Sequence, residues 1–222
     1  MLPDYAELHC LSNFSFLRGA SHPEELVERA HALGYRALAI TDECSVAGVV
    51  RAHLAAKDLK LPLIIGSEMT LVDGVKLVLL ATDRESYGDL CQLITRGRRN
   101  AEKGTYRVTR EDVAQHAQGL LALWVPPEDD DDAPAQARWV SATFAARAWL
   151  AAGLFARAQD ARRVARLTDL GAAAGLRIVA AGDVHMHVRA RRALQDTMTA
   201  IRLRKPLAEC GYALFPNGER FL

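Results

Sequence analysis

The sequence has few of the features that mark membrane, secreted or fibrous proteins. No apolar run reaches the roughly 18 residues of a membrane span, and the first seven residues have neither the basic nor the apolar region of a signal peptide. The four cysteines lie far apart and form no C-x-x-C pair. We therefore expect a cytoplasmic protein with reduced thiols and no membrane partner, and neither disulfides nor a zinc knuckle.

Aromatic residues are scarce, and neither sign of charge is in excess. The chain is 6% aromatic, 50% hydrophobic and 25% charged, which excludes a disordered or fibrous protein and indicates a sizeable core. Its 28 Lys and Arg residues against 27 Asp and Glu give a net charge of +1. A globally basic nucleic-acid-binding protein is thus not indicated, although a local basic patch remains open. The 222 residues suffice for one large domain, or at most two small ones.

Short apolar runs alternate with amphipathic stretches of helical length, which predicts an α/β fold with a largely parallel sheet. Ser21 with Glu24 forms a capping box for the first helix, which Gly34 ends, and Asp83 and Thr109 cap two later helices. Two Ala- and Arg-rich helices precede the last strand, and a final helix covers about 190–201. The predicted strands are 6–10, 37–41, 61–66, 76–81, 119–124 and 177–181.

Residues 126–135 interrupt this alternation with prolines around a run of acidic residues. Adjacent carboxylates in such a run usually stay hydrated. We therefore expect an acidic surface loop here, not a metal site.

Metal-ligand residue types follow several of the predicted strands. His9, Glu68 and the Asp183-x-His185 pair occupy such positions, as does Glu43 beside Asp42, and the carboxyl ends of strands are where active sites of α/β folds gather. Such a cluster could bind a divalent metal and hydrolyse phosphoesters. Each residue also has a structural alternative: a hydrogen-bonded histidine at position 9, or a capping carboxylate at position 68.

Taken in order, four segments resemble the motifs of PHP (polymerase and histidinol phosphatase) domains. Residues 8–19 (LHCLSNFSFLRG) resemble H-x-H-S-x-[YF]-S-x-L-D-G, 39–43 (AITDE) resemble A-I-T-D-H, 62–68 (PLIIGSE) resemble P-I-I-G-x-E, and 178–185 (IVAAGDVH) end in D-x-H. The surrounding residues 43–53, 182–187 and 206–211 are similar to one branch, the bacterial error-prone alpha subunits of the DNA polymerase III family. The resemblance covers nearly the whole chain apart from roughly 125–160.

This resemblance implies a fold and a context. The fold would be a distorted seven-stranded β/α barrel, with residues 1–222 forming one PHP domain at the N-terminus of a longer DNA-directed DNA polymerase of DNA-damage responses. No segment resembles a polymerase palm, so this segment is not expected to polymerise DNA. Its expected partners are the remaining polymerase domains and, through them, DNA and replication or mutagenesis accessory proteins.

The resemblance also implies a degenerate metal site. His9, Glu68, Asp183 and His185 stand at ligand positions, and Glu43 replaces a ligand histidine. Leu11 replaces a second histidine and cannot coordinate a metal, while Arg18 replaces an acidic residue. A guanidinium about 4 Å from a dication adds about 8 kcal/mol of repulsion at an effective dielectric constant of 20. The two central histidines have no clear counterpart, although His116, Trp124 and Phe155 lie near the expected places.

We expect Arg18 to pair with Glu43, Glu68 or Asp183 in place of a metal, leaving no cofactor or one residual zinc or manganese ion. Residues 185–222 hold seven Lys or Arg against three acids, which favours packing near nucleic acid or an acidic domain, or is simply a solvated helix face. The first hypothesis is a structural module. The alternatives are an active metal-dependent phosphoesterase or 3'-5' exonuclease, and a stand-alone barrel that binds a partner.

Overall fold

The computed structural model describes residues 4–128 and 132–222, and this part contains seven strands and seven α-helices. The strands are β1 (Ala6–Glu7), β2 (Ala37–Ile40), β3 (Leu63–Thr70), β4 (Lys76–Leu80), β5 (Leu121–Trp124), β6 (Ala148–Ala152) and β7 (Arg177–Ala180). The helices are α1 (Pro23–Ala32), α2 (Val49–Leu59), α3 (Arg84–Arg99), α4 (Arg110–Gln115), α5 (Ala133–Phe144), α6 (Asp160–Ala174) and α7 (Arg192–Leu203).

The strands form one mixed sheet in chain order. β1 and β2 are parallel, and so are β5, β6 and β7, as the alternation of strands and helices predicts. β4 is the exception, since it runs antiparallel to both β3 and β5. The link between β3 and β4 is a short turn with Gly74 in the left-handed region (φ +86°), too short for the crossover that a parallel pair requires.

The chain divides into two compact units, of which the first combines the residues up to Ile64 with Gly182–Leu222. α1 and α2 pack against each other and bury an apolar core that includes Leu26, Leu38 and Leu222. The two segments of this unit are joined by main-chain hydrogen bonds, from Leu11 N to Val184 O (2.8 Å) and from Val184 N to His9 O (2.9 Å). The last segment of the chain therefore completes the core around β1.

The second unit, Ile65–Ala181, contains the sheet from β4 to β7 together with most of β3. α5 and α6 pack against each other and against the parallel strands β5, β6 and β7. Gly171 allows α6 to approach the following segment closely, because a Cβ at this position would lie 2.8 Å from the Leu176 carbonyl oxygen. Trp124 and Phe144 are among the large side chains that are fully buried.

Three predictions for individual elements were wrong. The N-cap of α1 is His22, with Glu25 as its capping-box partner, and not Ser21 with Glu24. Strand β6 was missed, because it lies between two Ala- and Arg-rich helices without an alternating pattern of its own. α5 begins at Ala133, so the last residues of the predicted acidic loop are helical, while its residues 129–131 lie outside the described part.

Candidate metal centre

Three predicted ligands converge in the first unit. His9 follows β1, and Asp183 and His185 follow β7. Asp183 Oδ1 lies 3.6 Å from His9 Nε2 and 3.1 Å from His185 Nε2. Both histidines are almost fully buried. Two imidazole nitrogens around one carboxylate oxygen are donors of the type that zinc and other borderline divalent metals take.

The loop that carries Asp183 is held in place by a buried carboxylate. Glu7 accepts hydrogen bonds from the main-chain N–H groups of His9 and Gly182 (both 2.9 Å) and from the Tyr5 hydroxyl (2.8 Å). Burial raises the pKa of Glu7, although these hydrogen bonds act in the opposite direction. Asp183 itself has φ +44°, in the left-handed region that non-glycine residues rarely adopt.

Both ring nitrogens of His185 lie close to oxygen atoms that can only accept hydrogen bonds. Its Nδ1 lies 3.2 Å from the Arg18 carbonyl oxygen and its Nε2 3.1 Å from Asp183 Oδ1, and both oxygens are acceptors. Burial lowers the pKa of His185, and a neutral ring has only one N–H to donate. Either a second proton on the ring or a cation near Nε2 would make the contact between Nε2 and the Asp183 carboxylate favourable.

A cation that the sequence did not reveal already contacts Asp183. The guanidinium of Arg220 forms an ion pair with Asp183 Oδ2, and the two side chains are only 13% and 14% exposed. Arg220 lies 37 residues after Asp183, outside every motif that the sequence analysis singled out, so neither spacing nor pattern indicated it. A basic residue in the segment after the D-x-H motif was the sole available signal.

Arg18 pairs with Glu43, one of the three carboxylates that the sequence offered as its partner. Arg18 Nη1 lies 2.6 Å from Glu43 Oε2, and both side chains are partly buried. The neighbouring Asp42 is buried and accepts hydrogen bonds from the hydroxyls of Ser12 and Ser15 (both 2.7 Å), which ties the first two motifs together. Leu11 is fully buried and offers no donor atom to a metal.

Glu68 belongs to the second unit and is fully buried on β3. Its Oε2 lies 2.8 Å from Lys76 Nζ, at the start of β4. His116 in the same unit contacts the main-chain carbonyl of Asp112 through Nδ1 (2.8 Å), and Trp124 and Phe155 are buried. Glu68 therefore has a basic partner within its own unit.

These contacts decide whether the donors could bind the metal ions that the resemblance to PHP domains implies. Each of the three predicted carboxylate ligands, Glu43, Glu68 and Asp183, forms an ion pair with an arginine or lysine of its own unit. The site therefore does not fit a multinuclear centre. His9, Asp183 and His185 keep donors that fit one cation, in competition with Arg220.

The basic C-terminal region is less available for nucleic acid than its composition indicates. Arg191 pairs with Glu25 (2.5 Å), Arg192 with Asp196 (3.4 Å), and Arg189 with Glu219. With Arg220, four of the seven basic residues in 185–222 therefore have carboxylate partners. Within the described residues, no helix is both long and apolar enough to cross a membrane.

Comparisons with known proteins identify the family and several relatives of the chain. The family model described as PHP domain matches residues 7–158. A protein of Dechloromonas aromatica named error-prone DNA polymerase is 57% identical over 226 residues, covering 100% of this chain and 22% of that protein. A protein of the same name from Methylococcus capsulatus is 58% identical over 219 residues, covering 98% of this chain and 21% of that protein. The chain thus spans about a fifth of the length of these relatives.

Solved structures share the fold at low sequence identity. A Bifidobacterium adolescentis protein provisionally described as a metal-dependent phosphoesterase matches with a TM-score of 0.61 and 17% identity, over 83% of this chain and 88% of that one. A two-domain Bacteroides vulgatus protein, said to contain a predicted PHP-like metal-dependent phosphoesterase, has a TM-score of 0.57 and 16% identity, over 84% and 55% of the two chains. The predicted fold class, a seven-stranded β/α architecture of the PHP type, is confirmed.

Proposed function

This chain belongs to the PHP domain family, and we propose that it serves as the N-terminal PHP segment of an error-prone DNA polymerase, with a structural and not a hydrolytic role. The observation that carries the structural role is the pairing of Glu43, Glu68 and Asp183 with basic side chains of the same chain. Carboxylates that are already neutralised have little affinity left for a dication, because the guanidinium or ammonium both competes with it and repels it.

The polymerase context rests on the identity of 57–58% with proteins named error-prone DNA polymerase. In this proposal the remaining polymerase domains are the direct partners, and DNA and mutagenesis accessory proteins are reached through them during DNA repair. The four free cysteines, three of them buried, support a reducing compartment such as the cytoplasm. A reading frame that continues from codon 222 into a polymerase palm would support this context, and a stop codon there would contradict it.

An active phosphoesterase or 3'-5' exonuclease is the second candidate. The convergence of His9, Asp183 and His185 favours it, because one zinc or manganese ion held by these donors, with Glu43 as a further predicted ligand, would activate a water molecule. The arginines at positions 18 and 220 oppose it, since they place positive charge beside the same carboxylates.

Metal content and hydrolysis distinguish the two candidates. We would purify the untagged chain without chelators, measure its metals by mass spectrometry, and assay a chromogenic phosphodiester and a DNA primer terminus with added manganese or zinc. A structural module is expected to carry substoichiometric metal and to hydrolyse neither substrate. Stoichiometric metal, together with hydrolysis that Asp183→Asn abolishes, would overturn the structural role.

A further inference from the structure

The last segment of the chain, residues 214–222, lies along the loop of the D-x-H motif, and we refer to it as the C-terminal strap. The Arg220 carbonyl oxygen accepts hydrogen bonds from His185 N (2.9 Å) and Met186 N (3.2 Å), and Phe221 forms a parallel bridge with Met186. Leu222 is buried in the core of the first unit. The strap is therefore anchored at Arg220 and at the two residues that follow it.

Aromatic contacts fix the direction of that side chain. The Arg220 guanidinium lies 4.2 Å from the ring centroid of Phe215, and the same ring packs edge-on against His185 at 5.0 Å. The Phe215 carbonyl accepts a hydrogen bond from Arg192 on α7 (3.1 Å). A planar guanidinium stacked on an aromatic ring loses little further freedom when it binds a carboxylate. The strap thus presents Arg220 to Asp183 in a fixed orientation.

We propose that Arg220 is the built-in cation of the candidate metal centre: the C-terminal strap delivers its guanidinium to Asp183, and this contact sets how weakly the centre binds a divalent metal. The proposal rests on the proposed structural function and identifies the residue that enforces it. Arg18 pairs with Glu43, and its removal would leave the Arg220 guanidinium on Asp183 in place.

Two features make the guanidinium and a metal alternatives at this position. Arg220 occupies Asp183 Oδ2, while His9 and His185 face Oδ1, so a dication among these donors would lie close to the guanidinium. The pair is largely excluded from solvent. In such a buried environment, repulsion between like charges is weakly screened. Without the guanidinium, the same donors would offer one carboxylate and two imidazoles, which is a ligand set for zinc.

The test is Arg220→Met, which keeps the length and the apolar contacts of the side chain and removes its charge. In chelator, we expect the unfolding midpoint to fall by roughly 6 to 12 °C, because a buried carboxylate loses its partner. Zinc at about 100 times its dissociation constant should then raise the midpoint of this variant by roughly 5 to 11 °C. Under the same conditions the wild-type midpoint should barely change.

Matched variants separate loss of charge from loss of packing. Arg189 lies beside the strap and pairs with the strap residue Glu219, but its side chain is 63% exposed. The variant Arg189→Met should therefore gain no response to zinc. Arg220→Lys keeps a cation and should exclude zinc as the wild type does. Asp183→Asn in the Arg220→Met background should abolish the zinc response, because the carboxylate ligand is gone.

An equal zinc response in wild type and Arg220→Met would overturn the proposal, whatever the metal content of the wild type. If Arg220→Met fails to fold in chelator, the Asp183→Asn/Arg220→Met double variant decides the matter. Recovery of folding in the double variant supports Arg220 as counter-charge, and no recovery rejects it. A hydrolytic wild type would instead reject the proposed function, which is a different result from any of these.

Discussion

At the scale of single residues, Asp183 combines an unfavourable backbone with a fully engaged side chain. A left-handed conformation costs a non-glycine residue about 1 to 2 kcal/mol, and φ is +44° here. The loop keeps this geometry because Glu7 binds the preceding N–H group, of Gly182, and the Arg220 carbonyl binds the following His185 N–H. The main chain of the motif is thus held by Glu7 on one side and by the C-terminal strap on the other.

The Arg18–Glu43 pair gives a prediction at this scale. We expect Arg18→Ala to lower the free energy of unfolding by about 1 to 2 kcal/mol, because a partly buried carboxylate loses a charged hydrogen-bond partner. The side chains are 19% and 27% exposed, so solvent screening keeps the loss below that of a fully buried pair. Urea unfolding in metal-free buffer measures it, and a double-mutant cycle with Glu43→Gln isolates the pair.

Arg36→Ala is the matched control, because Arg36 pairs with Asp4 in a contact where both side chains are mostly exposed. No measurable loss is expected there. Unchanged stability in Arg18→Ala, or no coupling in the cycle with Glu43→Gln, would mean that Arg18 does not act as the counter-charge of Glu43.

The candidate site was predictable from the sequence where its residues belong to local motifs. His9, Asp183 and His185 follow strands, and the carboxyl ends of parallel strands bring such residues together. Arg18 was found because it replaces an expected acidic residue. Arg220 could not be found in this way, because its contact depends on the path of a segment with little periodicity, and no local rule relates positions 183 and 220.

At the scale of secondary structure, the predictions succeeded where a capping side chain or a glycine marks the end of a helix. Asp83 and Thr109 cap α3 and α4 with reciprocal capping boxes, and Gly34 follows the C-cap of α1 at φ +74°. The strand β6 had no such marks, and its alanines fit a helix as well as a strand. Its place is decided by pairing with β5 and β7, which a single sequence does not display.

Two helical glycines give a paired prediction. A Cβ at Gly88 in α3 would meet no atom within 4 Å, so Gly88→Ala should stabilise the chain by about 0.5 to 1 kcal/mol through helix propensity. A Cβ at Gly171 in α6 would lie 2.8 Å from the Leu176 carbonyl oxygen, and Gly171→Ala should destabilise by about 1 to 2 kcal/mol despite the same propensity gain.

Urea unfolding of the two variants checks this pair, with each serving as the control for the other. Because both are Gly→Ala changes inside helices, propensity and unfolded-state entropy are matched, and the difference in sign reports the close approach at Gly171. A change in stability of the same sign in both variants would show that Gly171 does not lie this close to the Leu176 carbonyl oxygen.

At the scale of the whole molecule, the first unit is discontinuous in sequence. Its N-terminal segment supplies α1, α2 and the first two strands, while its C-terminal segment supplies the D-x-H loop, α7 and the strap. Cys10, Cys44 and Cys210 are buried in this unit, and Cys10 and Cys210 come from its two different segments. Cys91 in the second unit is half-buried and lines an open pocket of about 660 Å³.

This distribution of thiols allows the integrity of the first unit to be measured. In the native chain we expect one thiol, Cys91, to react readily with a disulfide reagent, and Cys91→Ser should remove this reaction. The other three should react only through unfolding, and at a common rate, because the two segments share one core. Burial also raises the pKa of Cys10 well above its usual value, so its thiol stays protonated and unreactive as long as the unit is folded.

Mass spectrometry of the modified chain, read cysteine by cysteine over time, separates the outcomes. If Cys210 reacts much faster than Cys10 and Cys44, the C-terminal segment detaches alone, and the loop that carries Asp183 loses its support before the rest of the unit. If the three thiols react together, the strap and the D-x-H loop are as stable as the core around β1. The second result is expected, because Leu222 is buried in that core and Val184 is hydrogen-bonded to His9 and Leu11 on the segment that follows β1.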